Sequence, residues 1–174
     1  MKFKVFLFVI FAVTAAGCVD IPDFEDSPVI YYNGIDHYTG LSDLGAKIEY
    51  VTITVDFEDG NGDLGVSAEE RSDTVFTLPY GGWGNYELVT ARRGADGKWT
   101  ESILSTDQVM WMPILKPDGK PGPIKGKLDL NTKFPYSNSS VQSWVRFKVR
   151  IRDRALNVSN QISTDSILVP ISAR

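Results

Sequence analysis

Asp59, Asn61 and Asp63 set side-chain oxygens at alternate positions of Asp59-Gly60-Asn61-Gly62-Asp63. A hard cation such as Ca²⁺ takes about six to eight oxygen ligands, and a tight glycine-bearing turn lets a chain wrap several of them round one ion. Counted as an EF-hand-type loop, Asp59 is position 1, Asn61 position 3, Asp63 position 5, the Gly65 carbonyl position 7, Ser67 position 9 and Glu70 position 12. Leu64 occupies position 6, where that loop needs glycine, and the flanks read as strand rather than helix. Asp59, Asn61, Asp63, Gly65 and Glu70 are therefore candidate Ca²⁺ ligands, set against a plain solvated turn. Asp153, in Asp153-Arg-Ala-Leu-Asn-Val-Ser-Asn160, is a further oxygen donor if both motifs lie at one end of the fold. Its alternative is a corner in which Asp153 and Asn157 satisfy backbone N–H groups of their own turn.

Two other groups of side chains could bind something. Tyr80, Trp83 and Tyr86 lie on Pro79-Tyr-Gly-Gly-Trp-Gly-Asn-Tyr86, an aromatic, glycine-rich run suited either to stacking on a sugar or to capping the core. Arg146, Lys148, Arg150 and Arg152 form a basic stripe on one strand face. Cross-strand pairing with Asp56 and Glu58 is the expected use of that stripe if the two strands are neighbours.

The chain is poor in the groups that catalysis commonly needs. It has one histidine, His37, and one cysteine, Cys18, which leaves no Cys–His dyad and no usual zinc set. A Ser-His-Asp triad would have to use His37, and no Gly-x-Ser-x-Gly elbow presents a serine. Phosphate-cradling glycine motifs are missing as well. A pair of carboxylates could hydrolyse a glycoside, but their separation cannot be read from sequence. The expectation is a protein that is not an enzyme.

Cys18 follows charged Lys2 and Lys4, the apolar run Val5-Phe-Leu-Phe-Val-Ile-Phe-Ala12 and the small residues Ala15-Ala16-Gly17. Basic n-region, short apolar h-region and small cleavage residues make a secretory signal, and Val5–Gly17 is too short to cross ~30 Å of hydrocarbon. With the cysteine directly after Gly17, the segment resembles a bacterial lipoprotein signal, which implies a covalent, palmitate-type lipid on Cys18. Removing the first 17 of 174 residues leaves 157, enough for one domain burying roughly 70% of its unfolded surface. Losing Lys2 and Lys4 takes the formal charge from −4 to −6, a poor balance for nucleic acid. Residues 18–28, with Asp20, Asp23, Glu25 and Asp26, read as an acidic tether.

The elements that must position these residues are strands. Val51, Ile53, Val55 and Phe57 alternate with Thr52, Thr54, Asp56 and Glu58, and Val145, Phe147, Val149 and Ile151 alternate with the basic stripe. Period-two alternation marks strands with one buried face. Tyr86–Arg92 and Lys98–Leu104 flank a turn at 94–97, Val109–Leu115 and Ile124–Leu130 flank a longer one, and Ile162–Ile171 closes the domain. Residues 29–174 are thus expected to form an all-β, antiparallel immunoglobulin-like β-sandwich of seven to nine strands.

Behind the lipoprotein-type signal, Ile53-Thr-Val-Asp-Phe-Glu-Asp-Gly-Asn-Gly-Asp-Leu-Gly65 and Val149-Arg-Ile-Arg-Asp-Arg-Ala-Leu-Asn-Val-Ser-Asn160 resemble paired motifs of an uncharacterised family of Bacteroidota outer-membrane lipoproteins. The resemblance implies attachment to the outer membrane, with the acidic tether favouring the cell surface over the periplasmic face. The expected function is that of a non-catalytic binding or scaffold domain docking on another envelope protein. A glycan- or ligand-binding module is the alternative, and a carboxylate-based hydrolase comes third.

Overall fold

The computed structural model describes residues 23–172. The expected signal peptide, Cys18 and the first part of the expected tether lie outside the described residues. Eight strands form an antiparallel β-sandwich. They are β1 (Val29–Leu41), β2 (Lys47–Asp59), β3 (Tyr86–Arg93), β4 (Trp99–Ser102), β5 (Ile124–Pro135), β6 (Ser140–Ile151), β7 (Ile162–Ser163) and β8 (Ile167–Ser172). One sheet runs β1-β2-β5; the other runs β4-β3-β6, with β7 and β8 sharing the far edge of β6. In immunoglobulin-like lettering this is A-B-E facing C′-C-F-G, with the last strand in two pieces.

Alternation along β2 and β6 builds the core. Val51, Ile53, Val55, Phe57, Val145, Phe147, Val149 and Ile151 are all buried, and Phe134 of β5 meets Phe147 across the layers at 6.1 Å between ring centroids. The break between β7 and β8 costs β6 no hydrogen bond. Thr164 N donates to the Phe147 carbonyl at 2.9 Å, and Thr164 Oγ1 accepts from Phe147 N at 2.9 Å. Ser159 repeats the device against Ile151, accepting with its hydroxyl at 3.0 Å. A side-chain oxygen thus stands in for a strand carbonyl. Thr164→Val would leave the Phe147 N–H buried without an acceptor, so urea denaturation should show a loss of about 1–3 kcal/mol.

Besides the break of the expected last strand into β7 and β8, two features depart from the expected strand set. Residues 109–115 form no strand and no hairpin with β5, which pairs with β2 instead. The buried Asn85 amide occupies that segment's backbone: Met112 N donates to Asn85 Oδ1 at 2.6 Å, and Asn85 Nδ2 donates to the Met112 carbonyl at 3.2 Å. The second departure is a pair of short helices, α1 (Ala68–Ser72) and α2 (Thr74–Thr77), running into a 3₁₀ stretch at Leu78–Trp83. No helix among the described residues is long and apolar enough to cross a membrane.

Register decides which loops share an end. Val29 of β1 pairs with Glu58, Ile124 of β5 with Asp59, and Tyr86 of β3 with Ile151. The entry of the chain, the loop after β2, the run into β5 and the turn after β6 therefore converge at one end.

Candidate metal centre

Asp59 continues the inward-facing set Val51, Ile53, Val55 and Phe57 to the last residue of β2, so the pleat aims its carboxylate under the end of the core. It is 0% exposed. Asp153 lies two residues beyond the inward-facing Ile151 and is 1% exposed. Asp63 returns to Asp59 after the three loop residues Gly60, Asn61 and Gly62. One carboxylate oxygen from each of the three lies within 4.8 Å of the others. The sequence motifs around residues 59 and 153 are thus brought together.

The cluster is short of donors. Asp63 N donates to Asp59 Oδ2 at 3.1 Å and to Asn61 Oδ1 at 3.2 Å. Asp153 accepts from Asn157 N at 2.7 Å and from Asn157 Nδ2 at 2.8 Å, the self-satisfied corner its sequence allowed. Asp59 Oδ1 and Asp63 Oδ1 are buried without a partner. Burial first, and then the charges of Asp63 and Asp153, push the Asp59 carboxyl up to about 6. Asp63 is raised by burial and by Asp153, and Asp153 by burial. Unpaired buried carboxylates are costly. A cation among them removes that cost.

The other end of β2 supplies a contrast. Glu49 lies on the same inward face and is also buried. It accepts from Thr39 Oγ1 and Tyr136 OH at 2.5 and 3.1 Å and pairs with His37 Nδ1 at 2.6 Å. Burial raises its pKa, but these partners together bring it below the usual value. One end of the strand has three side-chain partners for its acid; at the other, Asp59 accepts from the Asp63 backbone N–H and otherwise faces two further acids.

Three segments hold the Asp59–Asp63 loop. Gly60 N donates to the Glu25 carbonyl at 2.8 Å, so the end of the tether lies against the loop. Gly122 N donates to the Asn61 carbonyl at 3.0 Å, and Leu115 N to the Leu64 carbonyl at 3.1 Å. The closeness explains two glycines. A Cβ on Gly60 would lie 2.3 Å from the Phe24 carbonyl oxygen, and one on Gly62, whose φ is +73°, would lie 2.3 Å from that of Gly122.

The EF-hand register breaks down beyond Asp63. Leu64 is 1% exposed and belongs to the core, which is why glycine does not stand there. Gly65, at φ +96°, is backed against Pro113. Ser67 and Glu70 form a capping box at the start of α1, with Glu70 N donating to Ser67 Oγ at 3.1 Å and Ser67 N to Glu70 Oε2 at 2.9 Å. Arg154 grips the Glu70 carboxylate with both terminal nitrogens, holding it down at about 2. Glu70 is therefore a cap and an ion-pair partner, not a twelfth-position ligand. The same Ser-x-x-Glu spacing is the signal that could have revealed α1.

The aromatic run does not make one exposed platform. Tyr80 is buried, edge-on to Trp111 at 5.0 Å, with its hydroxyl unpartnered. Trp83 is half-buried beneath Arg152, 3.7 Å from guanidinium to ring centroid. Tyr86 is half-buried against the core, and burial raises its hydroxyl to about 12. The basic stripe also finds other partners than expected, because β2 lies in the opposite sheet. Arg150 pairs with Glu87 and Lys148 with Glu101, each at 2.6 Å, while Arg146 covers Trp99. Comparison of the chain with family models, with curated proteins and with solved structures gave no match. The fold and the site define an antiparallel β-sandwich with three acidic side chains gathered at its loop end.

Proposed function

We propose that the chain is a lipid-anchored lipoprotein of the outer membrane, non-catalytic, whose loop end is organised by a divalent cation held by Asp59, Asp63 and Asp153. The observation that carries the cation is the pair of orphaned oxygens, Asp59 Oδ1 and Asp63 Oδ1, in a cluster of three carboxylates. An all-oxygen set favours Ca²⁺ over softer metals. The cation fixes the loops against each other, and the surface they present serves as a docking scaffold for another envelope protein. Calorimetric titration of EDTA-stripped full chain with Ca²⁺ should show one site. Asp59→Asn and Asp63→Asn should abolish it, and Glu70→Gln should leave it. Absence of binding by the wild type ends the reading.

The anchor rests on Cys18 and the residues before it. One acyl chain gives only marginal attachment and two give stable attachment, so a doubly acylated Cys18 would need no help from the protein surface. Cys18→Ala should move the chain out of the membrane fraction or leave it unprocessed. Membrane retention after correct cleavage would contradict the lipid. A stoichiometric partner recovered from detergent-solubilised membranes supports docking, whereas retention only on sugar supports the glycan alternative.

A further inference from the structure

A cleft of about 560 Å³ adjoins the carboxylate cluster, within the size range of small-ligand sites. Asp63 belongs to both: it is one of the three clustered acids and part of the cleft wall. Three carboxylates leave several of a Ca²⁺ ion's six to eight positions open, and Asp63 is the acid that joins the cluster to the cleft.

The cations lining the cleft are not equivalent. Arg154 has given its planar fork to Glu70. Lys116 and Lys120 make no ion pair among the described residues. Lys116 Nζ donates once, to the Gly122 carbonyl at 3.1 Å, and an ammonium has three N–H groups to give. The free donors are thus two point charges, and with the cation they make three positive centres, matched by the three terminal oxygens of a phosphate ester rather than the two of a carboxylate. Ile114 and Pro121 complete the wall with apolar surface, which inorganic phosphate would not use and the organic part of an ester would.

We infer that this cleft binds a phosphate ester, its phosphate bridging the cation at Asp63 and the ammonium groups of Lys116 and Lys120. The inference rests on the cation reading above. Two sources offer this group: a soluble metabolite and a lipid headgroup. The tether bears on the choice, because Glu25 is hydrogen-bonded to the loop. Its neighbour Phe24 is six residues from Cys18, a span of at most about 22 Å.

The test uses the full chain carrying Cys18→Ser, so that no acyl group draws it to lipid. Ca²⁺ binding is measured first and separately, by calorimetry. Glycerol 3-phosphate is then titrated with Ca²⁺ or with EDTA, and flotation is run with phosphatidylcholine vesicles with and without phosphatidic acid. The expected result is binding at least about tenfold tighter with Ca²⁺, weakened about tenfold by Lys120→Gln and further by Lys116→Gln/Lys120→Gln, with Ca²⁺ affinity retained. Lys120 is exposed and its ammonium makes no hydrogen bond or ion pair among the described residues, so its single variant removes no contact that holds the turn. Flotation that needs phosphatidic acid and these lysines assigns the group to a lipid; binding of glycerol 3-phosphate alone assigns it to a soluble ester. Ca²⁺ binding with neither probe retained, or with no effect of the lysines, overturns the proposal. Failure to bind Ca²⁺ at all is a different result and removes the cation reading beneath it.

Discussion

Adding millimolar Ca²⁺ to the EDTA-stripped protein at neutral pH should raise its melting temperature by about 5–10 °C, and by far less near pH 4. Ligand linkage gives about 2.7 kcal/mol at a hundredfold excess over Kd, and a domain near 150 residues shifts by roughly 2–4 °C per kcal/mol. The pH dependence follows from Asp59. Its folded pKa, about 6, lies above its ordinary value of 3.8. Between those values the folded state binds more protons than the unfolded one, so stability falls as pH rises through that window. The loss reaches up to about 3 kcal/mol above it. The metal-free protein should therefore melt higher at pH 5 than at pH 7, and Ca²⁺ should flatten or reverse that order. Asp59→Asn should do two things in differential scanning calorimetry: stabilise the metal-free protein at pH 7 and erase the response to Ca²⁺. A metal-free wild type that is most stable at pH 7 would refute the electrostatic account.

Leu64→Gly should be the most damaging change in the loop, although it supplies the glycine that an EF-hand has at that position. Leu64 is part of the core cluster. Deleting a buried leucine side chain costs about 2–5 kcal/mol, and glycine adds about 0.5–1 kcal/mol of backbone entropy. A fall of about 5–20 °C in melting temperature is expected. Ca²⁺ affinity should fall with it, because Leu64 is what ties Asp63 to the sandwich. Leu64→Met, which keeps the volume, should cost under about 1.5 kcal/mol and leave Ca²⁺ binding intact. Tighter Ca²⁺ binding by Leu64→Gly would mean that the loop follows EF-hand geometry after all.

The strands were legible where one face is uniformly apolar, as in Val51–Phe57 and Val145–Ile151, because burial of that face leaves no other conformation so well matched. Residues 109–115 misled because Val109 and Trp111 imitate strand spacing. Their backbone is claimed by Asn85, 27 positions away from Met112, and by Leu64 and Val66, contacts with no local signature. Ser67 and Glu70 carried two meanings, and the capping box was easy to miss because the five-residue α1 is too short to show a period. The meeting of Asp59, Asp63 and Asp153 could be anticipated from two acid-bearing strand ends, but only the pairing register brings them within reach. The partners of the basic stripe depended on sheet membership, which alternation does not encode.

Glu49 and Asp59 bound the apolar inner face of β2 at both ends, ten residues and about 33 Å apart. A one-residue slip of this strand is forbidden by its alternation, but a two-residue slip would keep every apolar side chain facing inward. The two acids close that escape. Sliding one way drags Glu49 from its three partners into the place of Val51; sliding the other way draws Asp59 into the place of Phe57. Each would put an unpaired charge inside the sandwich, at a cost of several kcal/mol. The carboxylates are thus end stops for the strand.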